Sequence, residues 1–156
     1  MLLHKVSGER YPVEFLPLTP ADVRVQMNDW EENFDWTIYF GKPNVEVYKM
    51  VIKGDDVIQG AIALELMEDH IFMLLIESAP HNRTERLFKP IGLHLFAFCC
   101  KRSIELGHNG FIALDAKTEL VDYYSRAMGA VHLRGPRMII NDGVALQLVN
   151  VYLGER

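Results

Sequence analysis

The sequence lacks most of what marks a specialised class of protein. No apolar run reaches the roughly 18 residues that a membrane span needs, and the opening MLLHKVSGERYP holds no apolar core of signal-peptide length. A cytoplasmic protein is therefore expected, with no membrane partner. There are two cysteines, Cys99 and Cys100, adjacent and so poorly placed to bond to each other. That excludes a disulfide-stapled miniprotein and fits a reducing cytosol. Cations are in deficit: 16 Lys and Arg against 21 Asp and Glu leave a net charge of −5, the wrong sign for a nucleic-acid binder. The histidines His4, His70, His81, His94, His108 and His132 form no pair at ligand spacing near a cysteine or an acid, so no metal is expected. There is no G-x-S-x-G, no Walker loop, no dinucleotide fingerprint, no internal repeat and no linker-like tract.

What is present is the material of an ordinary globule. Of the 156 residues, 49% are apolar and 24% charged, which predicts one domain over residues 1–156 with a full core. Tyr11 to Leu18 reads as a strand broken by Pro17. Thr19, Pro20 and Asp22 then form a helix start, with Thr19 as cap and Asp22 at the positive end of the dipole, and the helix is expected to reach Trp30. Val45 to Lys53 alternates like a half-buried strand, and Gly54-Asp55-Asp56 is a hairpin turn. Val57 to Met67 is the next strand, followed by a tight turn at Glu68-Asp69. His70 to Ala79 is nearly continuously apolar, which predicts a central strand buried on both faces. Three strands joined by short turns make an antiparallel meander.

Beyond Ala79 the period changes. Leu93, Phe96, Cys100 and Ile104 form one helical stripe over Gly92–Leu106, ended by Gly107. Phe111 to Leu114 is a short strand continuing to Lys117. Thr118 caps a helix whose apolar face is Leu120, Tyr123, Tyr124, Ala127 and Met128. Ala130–Arg134 and Arg137–Asn141 form a hairpin through Gly135-Pro136. Val144–Leu153 reads as a last helix capped by Asn141 or Asp142, with a strand as the alternative. The predicted class is α/β with a mixed α+β sheet: an N-terminal antiparallel meander, a parallel βαβ step from His70 through Lys117, and a C-terminal hairpin.

The connection from Ser78 to Ile91 is long for such a step, where 2–6 residues are common. Between Ser78 and Arg102 there are five cations (Arg83, Arg86, Lys89, Lys101 and Arg102) against one acid, Glu85. This local excess suggests one anionic ligand; a solvated surface is the alternative. The amides of Ile91, Gly92 and Leu93 begin a helix and have no intrahelical partner, and Gly92 allows close approach of a ligand. Strand, basic loop and helix start together outline a phosphate cradle.

These residues resemble the GNAT superfamily of acyl-CoA-dependent N-acetyltransferases, whose loop reads roughly P-x-x-R/Q-x-x-G-x-G/A between a central strand and a helix. Here the loop is Pro80-His81-Asn82-Arg83, then Thr84 to Leu87 as an insertion, then Phe88-Lys89-Pro90-Ile91-Gly92. Ile112 to Lys117 stands where the family has its next strand, and Tyr123 to Ala130 is similar to the family's YYxKxGF helix end. The order of elements matches from Tyr11 onward, and the APHN loop is similar to a bacterial subgroup of the superfamily. In departure from the pattern, Pro90 replaces the first loop glycine, removing one N–H donor, the insertion separates Arg83 from Gly92, and one extra residue lies between Tyr124 and Gly129.

The resemblance implies acetyl-CoA as co-substrate, transfer of the acetyl group to a small-molecule or peptide amine, and a cofactor site at Leu75 and Ile76 (backbone to pantetheine), Arg83, Arg86, Lys89, Ile91, Gly92 and Leu93. It makes Tyr124, or Tyr123 in its place, the acid for the departing thiolate. Two residues remain open as base: Glu77, a carboxylate late in the central strand, and His81, whose ordinary pKa near 6.5 suits the task. Trp30, Trp36 and Tyr39 line an acceptor pocket or pack the core. A homodimer is compatible with the sequence. The rival readings are a non-catalytic acyl-CoA-binding or regulatory module, and an interaction domain with a vestigial pocket.

Overall fold

The computed structural model describes residues 1–116 and 121–154. The chain divides into two compact units, Met1–Ala63 with Leu75–Leu95, and Leu64–Leu74 with Phe96–Arg156. Three elements pass through both: the strands β5 (Ile58–Leu66) and β6 (Ile71–Ser78) and the helix α3 (Ile91–Glu105).

In the first unit, β1 (Leu2–His4) pairs antiparallel with β2 (Arg10–Tyr11) on one side and with β7 (Phe88–Lys89) on the other. The expected first strand is divided: Pro12, which has no N–H, separates β2 from β3 (Val13–Pro17). β3 pairs antiparallel with β4 (Val45–Ile52), from Val13 against Ile52 to Pro17 against Tyr48. The first helix, α1 (Pro20–Gln26), starts as predicted with a capping box: the Thr19 hydroxyl accepts from the Asp22 N–H at 3.1 Å and the Asp22 carboxylate from the Thr19 N–H at 3.0 Å. It stops at Gln26, short of Trp30. Gln26 bonds to the strand turn instead, accepting from the Ile58 N–H at 3.0 Å and donating to the Asp56 carbonyl at 2.9 Å, and Asn28-Asp29 are poor helix formers.

The order of hydrogen-bonded strands is β3-β4-β5-β6-β8-β10-β9, with β8 at Ile112–Asp115, β9 at Val131–Arg134 and β10 at Arg137–Ile140. β6 takes the central place, as predicted, but the strand buried on both faces is β5. Seven of its residues in succession are buried, whereas in β6 only Ile71, Met73 and Glu77 are buried and the rest are half-buried. Small residues explain the difference. At Gly60 a Cβ would lie 2.9 Å from Ile91 Cγ2 and 3.2 Å from the Glu77 carbonyl, so α3 seats closely on that strand.

The second unit holds the parallel step, with Ile71 against Ile112, Phe72 against Ala113 and Met73 against Leu114. β10 returns antiparallel to β8 and forms a hairpin with β9. β8 ends at Asp115; Lys117, Thr118 and Leu120, to which a strand end, a cap and an apolar position were assigned, lie outside the described residues. α3 carries more than one stripe: every residue from His94 to Cys100 is buried, while Ile104 is exposed and Leu93 half-buried. A helix apolar on all sides is a buried helix. In α4 (Val121–Met128) the inward stripe is Val121, Tyr124, Ser125 and Met128, and the expected Tyr123 and Ala127 face solvent. The last helix, α5 (Asp142–Leu153), is capped by Asn141, whose side chain accepts from the Val144 N–H at 3.0 Å. Among the described residues no helix is long and apolar enough to cross a membrane.

Candidate active site

The expected site residues Leu75, Ile76, Glu77, His81, Arg83, Arg86, Lys89, Ile91, Gly92 and Leu93 all belong to the first unit. The segment after β6 is not the irregular loop its length suggests. It contains one helical turn, α2 (Pro80–Arg83), and then β7. Lys5 fastens it from the N-terminal segment, its N–H donating to the Leu87 carbonyl at 2.8 Å and its ammonium to the Glu85 carbonyl at 3.2 Å. The Phe88 ring lies 4.9 Å from His4 and 6.0 Å from Tyr11.

Glu77 points inward, its side chain 2% exposed. One carboxylate oxygen accepts from the Trp36 indole N–H at 2.7 Å and the other from the Glu31 N–H at 2.9 Å. Arg83 approaches the second oxygen at 3.8 Å. The carboxylate thus ties a 3-10 turn (Trp36–Tyr39) and the segment before it to the end of β6. Trp30 and Trp36 are both buried, which is the core-packing alternative for the tryptophans, and Tyr39 is half-buried.

His81 is half-buried at the second residue of α2, with Nε2 2.8 Å from Gln59 Oε1. Burial lowers its pKa below the ordinary 6.5, while the carboxylates of Glu85 and Asp29 pull the other way. The ring is therefore neutral at pH 7 and able to accept a proton. The turn is anchored to β5: the Ala79 N–H donates to the Gln59 carbonyl at 3.0 Å and the Asn82 side chain to the same carbonyl at 3.1 Å.

The cations separate into three groups. Arg83 faces Glu77. Arg86, in the left-handed region at φ 51°, and Lys89, in β7, face solvent. Lys101 and Arg102 lie at the far end of α3, Arg102 3.9 Å from Glu105, so the five do not form one patch around the loop. Ile91, Gly92 and Leu93 make the first turn of α3, and Leu75 and Ile76 are half-buried in β6. Buried His94 is held neutral, its pKa pushed down to about 4 by burial, with its ring Nδ1 2.6 Å from the Pro90 carbonyl.

The remaining sequence candidates are in the second unit. Tyr124 is half-buried, its ring 5.3 Å from Phe96 and 5.7 Å from Tyr123, and burial raises its phenol pKa. Cys99 and Cys100 are buried and their thiols are pushed up, Cys100 to about 12, the small apolar fillers the sequence suggests. A cavity of about 600 Å³ in this unit, bordered by His70, His108, Phe111 and Leu133, contains none of the expected site residues. Sequence reasoning missed Gln59 altogether and gave Asn82 no role. Their one signal is Gln59 itself, a polar residue inside an apolar strand.

No protein-family model and no curated protein sequence matches the chain. Solved structures do. An acetyltransferase of the GNAT family from Staphylococcus aureus matches with a TM-score of 0.57 at 11% identity, over 83% of this chain and 99% of that one. A spermidine N-acetyltransferase chimera from Vibrio cholerae and hSSAT gives 0.58 at 14% identity, over 86% and 98%. AtaTR bound with acetyl-CoA gives 0.56 at 14% identity, over 88% and 98%. The fold of this chain is that of the GNAT acetyltransferases.

Proposed function

We propose that the chain is an N-acetyltransferase that passes the acetyl group of acetyl-CoA to a primary amine by direct attack. The observation that carries this is the β6–α3–β8 step in the GNAT arrangement, with the neutral imidazole of His81 three residues beyond the end of β6. The pantetheine arm is assigned to the backbone of Leu75 and Ile76. The pyrophosphate is assigned to Arg86, Lys89 and the first-turn amides of Ile91, Gly92 and Leu93, with Arg83 joining them when it leaves Glu77.

Of the two candidate bases, His81 is favoured. Both oxygens of Glu77 already accept hydrogen bonds from a tryptophan and a backbone amide, which suits an anchor of the acceptor-side segment. His81 takes the proton as the amine nitrogen bonds to the thioester carbonyl and becomes acidic. The C–S bond then breaks, and the thiolate needs a proton. Tyr124 is kept for that step on the resemblance alone; its raised pKa means the phenol holds its proton at neutral pH.

Thioester consumption measured against a panel of small and peptide amines tests the activity, and mass spectrometry of the native protein tests for bound CoA. Separate pH–rate profiles of His81→Ala and Glu77→Gln decide the base: loss of the acidic limb in the first alone supports His81, and retention of it in both removes both. One feature supports a second reading. Pro90 presents no N–H at the entry to α3, which favours a module that binds acyl-CoA without turnover; bound CoA with no reaction on any amine is its signature.

A further inference from the structure

We infer that Gln59 is a positioning residue for His81, presenting the ring so that Nδ1 is the basic atom; this rests on the proposed role of His81 as base. The polarity of the contact follows from backbone groups, which have only one sense. The Phe88 N–H is a donor, so the Asn82 atom 3.0 Å from it is the carbonyl oxygen. The Asn82 NH2 group must then point the other way, toward β5. There it meets the Gln59 main-chain carbonyl at 3.1 Å and the Gln59 side chain at 2.9 Å. A donor facing the Gln59 side chain requires its carbonyl oxygen, not its NH2, at that position. The same oxygen lies 2.8 Å from His81 Nε2, so Nε2 carries the hydrogen and Nδ1 carries the lone pair.

The arrangement is rigid. Gln59 is 2% and Asn82 7% exposed, so neither amide can turn to water without leaving buried partners unmet. Gln59 lies in β5, whose following glycine is closed over by α3 and β6. The charged groups acting on the ring are Glu85 and Asp29, and neither bonds to it. Gln59 is thus the contact that fixes orientation.

The test uses ring-nitrogen NMR of His81 in the free protein together with kinetics. In the wild-type protein the neutral ring is expected to carry its proton on Nε2; a proton on Nδ1 overturns the inference with no variant needed. Gln59→Glu keeps an acceptor and adds a charge, so both the His81 titration and the acidic limb of kcat/KM should move upward together by about 1 pH unit or more. If Gln59 does not contact the ring in solution, both stay where they were, which would also overturn it. Gln59→Met removes the acceptor and should lower kcat at least tenfold, an order set by general base catalysis, with Gln59→Glu restoring turnover at its own optimum. If the His81 titration moves in Gln59→Glu while the kinetic limb stays, the contact stands and the assignment of His81 as base falls.

Discussion

Replacing Glu77 by Gln changes one atom and tests whether this carboxylate is an anchor. Its two oxygens each receive an N–H, from Trp36 at 2.7 Å and from Glu31 at 2.9 Å, in a side chain only 2% exposed. A glutamine has one oxygen to offer, so one N–H must face the new NH2 group. An unmet buried donor costs about 1–3 kcal/mol, and the surviving bond loses its charge assistance, worth about 1 kcal/mol more. Relief of the buried charge returns part of this. The expected net loss is about 2–3 kcal/mol, a fall in Tm of roughly 4–12 °C for a chain of this size. Urea denaturation and calorimetry of Glu77→Gln at pH 7 measure it. Trp36→Phe supplies the cross-check. With the indole donor gone, the glutamine oxygen can serve the Glu31 N–H without conflict, so the double variant should be more stable than the two single losses predict by about 1 kcal/mol. A single-variant loss below about 0.5 kcal/mol, or strictly additive losses, refutes the anchor. Turnover per folded molecule should survive the change; disappearance of the acidic limb would return the base role to Glu77.

Stability should fall between pH 6.5 and about 4 because folded His94 resists protonation until about 4 while the unfolded chain takes its proton near the ordinary 6.5. The unfolded state binds more protons in that window, the loss approaches about 3 kcal/mol by pH 4 and stops there, His81 adds in the same sense, and His94→Gln should flatten the slope of urea midpoints against pH. Gly60→Ala puts a methyl 2.9 Å from Ile91 Cγ2 and 3.2 Å from the Glu77 carbonyl; a destabilisation of about 1–2 kcal/mol is expected in urea titration, and none would mean that α3 yields freely. Tyr124→Phe should reduce kcat at least tenfold while acetyl-CoA still raises Tm, and unchanged turnover removes the acid role. Arg137→Ala breaks a 2.7 Å pair with Asp115 in which both side chains are about half exposed; thermal unfolding should register less than about 1 kcal/mol, solvent screening having already weakened the pair.

Elements written in local chemistry could be read directly. The Thr19-Pro20-Asp22 start and the Asn141 cap need only their own neighbours, and the alternation of β4 with the Gly54-Asp55-Asp56 turn sets β4 and β5 to within a residue or two. β1 and β7 have no such signal. They are three and two residues long and exist because Leu3 meets both Arg10 and Lys89, a pairing that spans most of the first unit's sequence. Charge counted along the chain misled for a related reason: α3 carries Lys101 and Arg102 about two turns beyond its first turn, and Arg83 turns toward Glu77.

The site divides along the same line. His81 and Asn82 are adjacent, so the loop motif that suggests the fold also names them. What bears on the His81 tautomer and on the orientation of both side chains comes from Gln59, 22 residues before His81, and from the Phe88 N–H, six residues after Asn82. Glu77 reads from its strand as a carboxylate near the end of an apolar run, equally suited to abstract a proton or to bind a donor. Its partners are Trp36 and Glu31, more than 40 residues away, and their two hydrogen bonds favour the proposed anchor. Both decisive residues, Gln59 and Glu77, are polar interruptions of strands that are otherwise apolar. A polar group placed there must find partners or forfeit stability, so it marks where distant segments converge even when it cannot say which ones. For this chain those two interruptions locate the anchor of the Glu31–Trp36 segment and the support of the proposed base, and variants at them separate the two roles.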